Sequence, residues 1–373
     1  MKIDRIEIRK IFLPYLKPFK TSGWTEIGNS GIIIKVDMDG ATGWGEAPVG
    51  KEPFYNEETT GTAWSVLKDI LIPLLLKNNF EAETMPDDIT KIFTGIRGNK
   101  IAISGLEFAF WDLLGKIKET SLSKMLGGTR NKIDVGVSVG IKENIPSLLN
   151  SVEGYLKEGY KRIKIKIKPG WDLEPVGQIR KNWENTLLQV DANCAYKLND
   201  AGHLSELDDY NLLLIEQPLA YDDLYEHSIL QKKIKTPVCL DESITSPHHA
   251  SSAILMKACR IINIKPSRVG GLLAAREIHN IAMENKISVW CGGMLETGIG
   301  RAFNVALASL PDFNLPGDIS ANKRYFKKDI VLNPFELNAD GTLTVPDTPG
   351  TGAVVDEKFL EKITLEKLIF NQF

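Results

Sequence analysis

The sequence predicts an α/β protein whose larger part is a (β/α)-barrel, preceded by antiparallel sheet and helices. Three observations carry this. From Ile133 onward, apolar runs of strand length alternate with amphipathic helical stretches, seven or eight times in about 190 residues. Three of those runs, ending Val190-Asp191, Ile215-Glu216 and Leu240-Asp241, stop abruptly in a carboxylate, and the carboxylates stand 25 residues apart twice in succession. That interval suits one strand, one helix and two connecting loops. Finally, no G-x-G-x-x-G follows a strand, which disfavours the runner-up, a doubly wound sheet.

Residues 1 to 45 read as antiparallel sheet. Ile3 to Phe12 and Gly31 to Asp37 are strand-like, and Asp39-Gly40 makes a hairpin turn before Ala41 to Gly45. The stretch from Lys17 to Trp24 is too rich in turn formers for a strand, and Ala47 to Phe54 is a second irregular stretch. Both mix aromatics with Gly and Pro, as a lid over a site would. Helices are expected over Ala63–Leu74, Met85–Ile96 and Asn99–Lys118; in the last, Ile103, Leu106, Phe110, Leu113 and Leu114 form a core-facing stripe. Leu126-Gly127-Gly128 closes a first domain, 1–128. Barrel strands follow at 133–140, 161–168, 187–192, 212–217, 237–242, 260–265 and 287–293, with a short last one near 313–317, within a domain of 129–320. The tail, 321–373, carries a hairpin over Phe335–Val345 and a closing helix, Glu357 to Ile369, and is long enough to pack back on the N-terminal domain.

The chain of 373 residues is 43% hydrophobic and 25% charged, ordinary for a globular protein, and its length favours about two domains. A net charge of −3 gives no reason to expect nucleic acid or an anionic membrane as partner. The first residues alternate like a strand, unlike a signal peptide, and no apolar run approaches a membrane span, so a cytoplasmic location is expected. Cys194, Cys239, Cys259 and Cys291 lack metal spacing and read as buried thiols in a reducing compartment.

In a parallel barrel the strand ends gather at one rim, where chemistry is placed. Asp191, Glu216 and Asp241 would repel one another there unless a cation neutralised them, and an all-oxygen set favours Mg²⁺ before Ca²⁺ or Zn²⁺. The bland alternative is that each acid caps a loop. In the second strand, alternation puts Lys164, Lys166 and Lys168 on one side. A solvated basic face is the plain reading; inside a barrel the same side points into the mouth. The sixth strand also ends in a lysine, Lys265, which then faces Lys166 across the metal. Two opposed lysines beside a divalent cation suit proton removal next to a carboxylate, with the cation stabilising the enolate. A base lysine needs its pKa lowered towards roughly 7–8. Lys164 beside Lys166, and Arg268 beside Lys265, supply neighbouring positive charge for that.

Lys164-Ile-Lys166, Asp191-Ala-Asn193, Glu216-Gln-Pro, Asp241-Glu-Ser and Lys265-Pro together resemble the enolase superfamily in its muconate-lactonizing subgroup. The likeness is closest to the o-succinylbenzoate synthase / N-succinylamino acid racemase family, and it covers almost the whole chain. It extends to Pro18-Phe19, Val137-Ser138-Val139, Trp290 to Gly298 and Pro316-Gly-Asp318. The resemblance implies a modified TIM barrel, (β/α)7β, with an α+β capping domain formed by both termini. It implies Mg²⁺, with Mn²⁺ as a substitute, on Asp191, Glu216 and Asp241, and an acid/base pair of Lys166 and Lys265. It places Lys164, Ser138, Asn193 and Gly293 around a small carboxylate substrate, with Phe19 covering it, and admits a homo-oligomer. The five histidines sit away from strand ends, which argues against a His–Asp base. Two reactions share these residues: syn-dehydration of a cyclohexadiene carboxylate to 2-succinylbenzoate, in menaquinone synthesis, and racemisation of N-acylamino acids. A non-catalytic barrel is the rival from another class, and intact metal ligands and lysines stand against it. Asp241→Asn is expected to fold and be inactive, on the premise that it removes a ligand and no core packing.

Overall fold

The computed structural model describes residues 2–78, 80–81 and 84–371. Its N-terminal part is a sheet with strand β1 (Ile3–Ile11) at the centre, flanked by β4 (Ile32–Met38), which pairs in turn with β5 (Ala41–Ala47). Between β1 and β4 a separate hairpin forms from β2 (Leu13–Lys20) and β3 (Thr25–Asn29). The turn-rich stretch is therefore a hairpin rather than an irregular loop. Thr21 makes its tip: the Thr21 hydroxyl oxygen accepts the Gly23 and Trp24 amides at 3.2 and 2.9 Å. Prolines 14 and 18 are tolerated because β2 pairs on one side only. The tip rests on the barrel, where Ser22 Oγ donates to Ile167 O at 2.7 Å.

Helix α1 (Lys100–Ile117) lies against β4 and β5 and is buried around its whole circumference from Ile101 to Gly115, more than the expected stripe. The reason is a backbone-to-backbone approach. A Cβ on Gly43 would lie 2.1 Å from Ala109 O, and one on Gly45 2.1 Å from Gly105 O. Only glycine permits it.

The larger part is a seven-stranded parallel sheet in sequential order: β6 (Gly136–Val139), β7 (Arg162–Lys166), β8 (Leu187–Asp191), β9 (Ile215–Glu216), β10 (Val238–Leu240), β11 (Ile261–Ile264) and β12 (Ser288–Cys291). The strand expected near 313–317 does not form; one parallel bridge, Val135 to Gly317, stands in its place. Asp318 N also donates to Cys291 O at 2.9 Å, so this short segment spans the gap between β12 and β6. The hairpin expected over Phe335–Val345 reduces to Thr342–Thr344, which pairs with Lys132–Asp134. The closing helix stops at Ile363, and Thr364–Asn371 is a strand paired antiparallel to β1 from Arg5 to Ile11. β1 offers a row of unpaired backbone groups on that edge, and Leu368 and Phe370, two apart, both reach the N-terminal core. Period two wins over helical propensity there. Among the described residues no helix is long and apolar enough to cross a membrane.

Two buried carboxylates join the two parts. Glu107 of α1 accepts the Leu272 and Leu273 amides, at 2.7 and 3.0 Å, at the start of α2 (Leu272–Glu284). Glu46 of β5 accepts Thr297 Oγ1 at 2.6 Å and Gly300 N at 2.9 Å, at the start of α3 (Gly298–Ala308). Each places negative charge at a helix N-terminus. Burial nonetheless pushes both carboxyls from an ordinary 4.5 up to about 7. An acid raised in the folded state supports folding fully below its unfolded value, and that support is lost as pH rises through the folded value. The melting temperature is thus expected to fall from about pH 5 to about pH 8, and to fall less in a Glu46→Gln/Glu107→Gln variant. Calorimetry at the two pH values checks this; an equal fall in both proteins counts against it.

Candidate active site

The carboxylates and lysines meet because parallel register aligns the strand ends. Lys166 is level with Asp191, and Asp191 with Glu216, while Asp241 follows directly on β10. Side chains two apart point the same way, so Lys164 joins Lys166 on the inner side, and Ser138 lies level with Lys164. The chain turns sharply after two of these acids: Asn193, Cys194 and Gln217 all take left-handed backbone angles, φ 41°, 64° and 37°. Such strain persists where surroundings over-determine it. Gln217 ties the neighbouring strand ends, its Oε1 accepting the Asp241 amide at 3.0 Å and its Nε2 donating to Ser243 Oγ at 2.7 Å.

Lys166 Nζ donates to Asp191 Oδ2 at 2.6 Å and Asn193 Oδ1 at 2.7 Å. Lys164 Nζ lies 2.8 Å from Glu216, 3.2 Å from Asp191 and against Asp318, above the Trp290 ring at 4.9 Å. Lys265 Nζ donates to Asp241 Oδ2 at 2.8 Å and to the Tyr55 hydroxyl at 3.0 Å. Arg268 contacts Asp241 and also donates to the Tyr55 hydroxyl at 3.2 Å, Ile244 O at 2.8 Å and Asn263 O at 2.6 Å. It belongs to a short helical turn, Pro266–Val269.

Burial dominates the electrostatics. It pushes Glu216 well above the usual carboxylate range, Asp191 and Asp241 add to the push, and Lys164 opposes it. Asp191 and Asp241 resist the same burial because Lys166 and Lys164, or Lys265 and Arg268, hold them low. Burial disfavours the charge on Lys164, yet Asp318, Glu216 and Asp191 hold its pKa well above the ordinary lysine value. Its charge is directed at three carboxylates. Lys265 behaves alike: burial and Arg268 lower its pKa, but Asp241 and Tyr55 raise it further. In this arrangement the expected depression of Lys265 by Arg268 is therefore outweighed by Asp241.

Phe19, Ser138, Lys164, Lys166, Asn193 and Gly293 border one cavity, together with Asp191 and Lys265. Trp24 borders it from the hairpin, and Ser138 Oγ is buried without a partner. Glu216, Asp241 and Arg268 do not border it; Glu216 and Asp241 accept from the lysines that do. Among the described residues, no histidine borders the cavity. Reasoning from sequence gave no role to three participants. Tyr55 lies one residue past the irregular stretch suspected as a lid, and its ring also sits under Lys265 Nζ at 4.4 Å. Asp318 pairs with both Arg162 and Lys164. Asn263 donates to Glu216 Oε1 at 2.8 Å, and its place two before Lys265 on the same strand was the available signal.

Residues 147–359 match the enolase C-terminal domain-like family, and residues 6–127 match the mandelate racemase / muconate lactonizing enzyme N-terminal domain. The chain is 46% identical over 373 residues to an o-succinylbenzoate synthase of Bacillus subtilis (strain 168), spanning 98% of this chain and 99% of that protein. It is 45% identical over 369 residues to an N-succinylamino acid racemase of Amycolatopsis sp, spanning 99% of each. A crystal structure of an enolase superfamily member from Listeria innocua Clip11262 superposes with a TM-score of 0.95 at 41% identity, over the full length of both chains. Sequence, fold and strand-end arrangement agree: the chain belongs to the enolase superfamily, with the two domains of its mandelate racemase / muconate lactonizing group.

Proposed function

We propose that this enzyme is a Mg²⁺-dependent o-succinylbenzoate synthase that also racemises N-succinylamino acids. Enzymes of this superfamily typically use a divalent metal and act on small carboxylates. The single observation that carries the reading is the pair Lys166 and Lys265, which border one cavity from the ends of the second and sixth strands of the parallel sheet, each bonded to a different buried carboxylate. Residues 1–128 and 321–373 serve as the cap in this reading, and 129–320 as the barrel.

Among the described residues, no three acidic, histidine or cysteine side chains are arranged as a ready cation cage. Carboxylate oxygens are turned onto Lys164, Lys166, Lys265 and Asn263 instead. The donor chemistry still fits a hard cation: three buried carboxylates on adjacent strands, with Glu216 driven towards neutrality by burial and its two acidic neighbours. Asp191, Glu216 and Asp241 would hold the ion, which supplies Lewis-acid stabilisation of an enolate. Lys166 and Lys265 remove and return the α-proton from opposite faces of the substrate. In dehydration one of them takes the proton and passes it to the departing hydroxide, while the other holds the enolate charge. In racemisation each serves one enantiomer. Phe19 and Trp24 shut water out from the hairpin side.

Arg268 distinguishes the two reactions. Removing it leaves Asp241 to Lys265 alone, which raises the lysine pKa further and makes it a poorer base. In D₂O with Mg²⁺, both enantiomers of an N-succinylamino acid are expected to exchange their α-proton. Arg268→Gln should slow exchange from one enantiomer by roughly 10-fold or more and dehydration much less. Rapid dehydration with no exchange from either enantiomer would make the protein a dedicated synthase. Equal slowing of both reactions would mean that Arg268 only holds Asp241 and its two carbonyl partners in place.

A further inference from the structure

We infer that Glu242 is a positioning residue for Lys166, acting through the side-chain amide of Asn193; the inference rests on the proton-transfer reading above. Lys166 Nζ donates to Asn193 Oδ1 at 2.7 Å, and Asn193 Nδ2 donates to Glu242 Oε1 at 3.0 Å. The three groups form a chain in which the amide has a direction. Its two ends are nearly the same shape, but only the oxygen end can accept from an ammonium; reversed, it would set NH₂ against NH₃⁺. The oxygen of Glu242 accepts from the NH₂ end and so selects the productive orientation.

Two further features single out Glu242. It is 6% exposed, and its second oxygen, Oε2, is buried with no hydrogen-bond partner. A buried unpartnered carboxylate oxygen is costly. Glu242 also does not border the substrate cavity. It faces a second one, beside the Asn56–Glu58 segment and the loops carrying Tyr221 and Thr245. It therefore acts on the lysine through Asn193, without touching substrate. Asn193 is itself held in a left-handed backbone conformation, with its backbone N–H donating to Asp191 Oδ1 at 3.1 Å, so rotation of its side chain is the freedom left to control.

The test is α-proton exchange in D₂O by the Mg²⁺-loaded full-length enzyme, followed separately for each enantiomer of an N-succinylamino acid. Lys166→Ala first identifies the enantiomer that Lys166 serves. Glu242→Ala is expected to slow exchange of that enantiomer by roughly 10- to 100-fold, as misplacement of a reacting group does, and to leave the other nearly unchanged. Glu242→Gln keeps an oxygen acceptor for Asn193 Nδ2 and should recover most of the loss. Asn193→Ala should slow exchange of the Lys166 enantiomer at least as much as Glu242→Ala does, and the double variant should be no worse than Asn193→Ala, since Glu242 works only through that amide. If Glu242→Ala fails to fold, Glu242→Gln and Asn193→Ala still decide the matter. Equal slowing of both enantiomers, or a Gln variant that loses the Lys166 enantiomer as Asn193→Ala does, overturns the positioning role. A wild-type enzyme that exchanges neither enantiomer overturns the proton-transfer reading instead.

Discussion

Glu216→Gln is expected to give a folded protein that has lost its response to Mg²⁺ and at least about 100-fold of its activity. Glu216 is fully buried at the end of β9, with Asp191 and Asp241 on the neighbouring strands. Glutamine has the shape of the neutral acid and keeps an oxygen for Lys164 Nζ or Asn263 Nδ2, which now approach at 2.8 Å each. No cavity opens, one repulsive charge disappears, and Asn263 can turn its unpartnered Oδ1 to the new NH₂ while Lys164 keeps the oxygen, so the metal-free variant should melt no lower than the metal-free wild type. Ligation of the wild type should add about 2.7 kcal/mol when Mg²⁺ is present at 100 times its dissociation constant, and the variant should lack that gain. Melting curves with EDTA and with Mg²⁺ read this out independently of turnover. A variant that keeps the full Mg²⁺-induced shift would remove Glu216 from the proposed ligand set. Asp241→Asn is a poorer probe than the sequence suggests. Asp241 pairs with both Lys265 and Arg268, and neutralising it leaves buried cations unpaired, at about 3–5 kcal/mol.

The two lysines should fail in opposite ways. Lys166→Ala and Lys265→Ala are each expected to lose roughly 10²- to 10⁴-fold in exchange from one enantiomer, the range for removing a positioned base. The enantiomer lost should differ between the variants, while the other continues to exchange. The remaining pairs make this separable: without Lys166, Asp191 still has Lys164 at 3.2 Å, and without Lys265, Asp241 still has Arg268. Dehydration should fall most in one of the two, which identifies its base. Exchange followed by NMR for each enantiomer checks the pattern. Loss of both enantiomers in both variants would mean that the lysines act jointly on charge rather than singly on protons.

Much of this was written locally in the chain. The three carboxylates, the alternating lysines and Lys265 sit at the ends of short apolar strands, and a period of two leaves little choice about which side chains share a face. The order of the parallel strands follows from their sequence, because each strand–helix unit packs beside the last. Helix α1 was legible from its apolar content, and its complete burial was not, because that depends on Gly43 and Gly45 meeting it across another element. The lid stretch was visible as aromatic and turn-rich; that its Pro18 lies, with Pro14 before it, in a hairpin strand depends on an edge that only the pairing with β3 creates.

What the sequence determined by itself is the set of reacting groups and the rim they share, since spacing and alternation act over a few residues. Tertiary structure alone decided who partners whom. The C-terminal Thr364–Asn371 became a strand because β1, more than 350 residues away, had a free edge. Tyr55 reached Lys265 across 210 positions, and Asp318 reached Lys164 across the gap between β12 and β6. The charge state of the lysines and of Glu216 depends on those partners and on burial. Neither is a property of any short stretch of chain, because Coulomb interaction and desolvation depend on distance in space and not on distance in sequence.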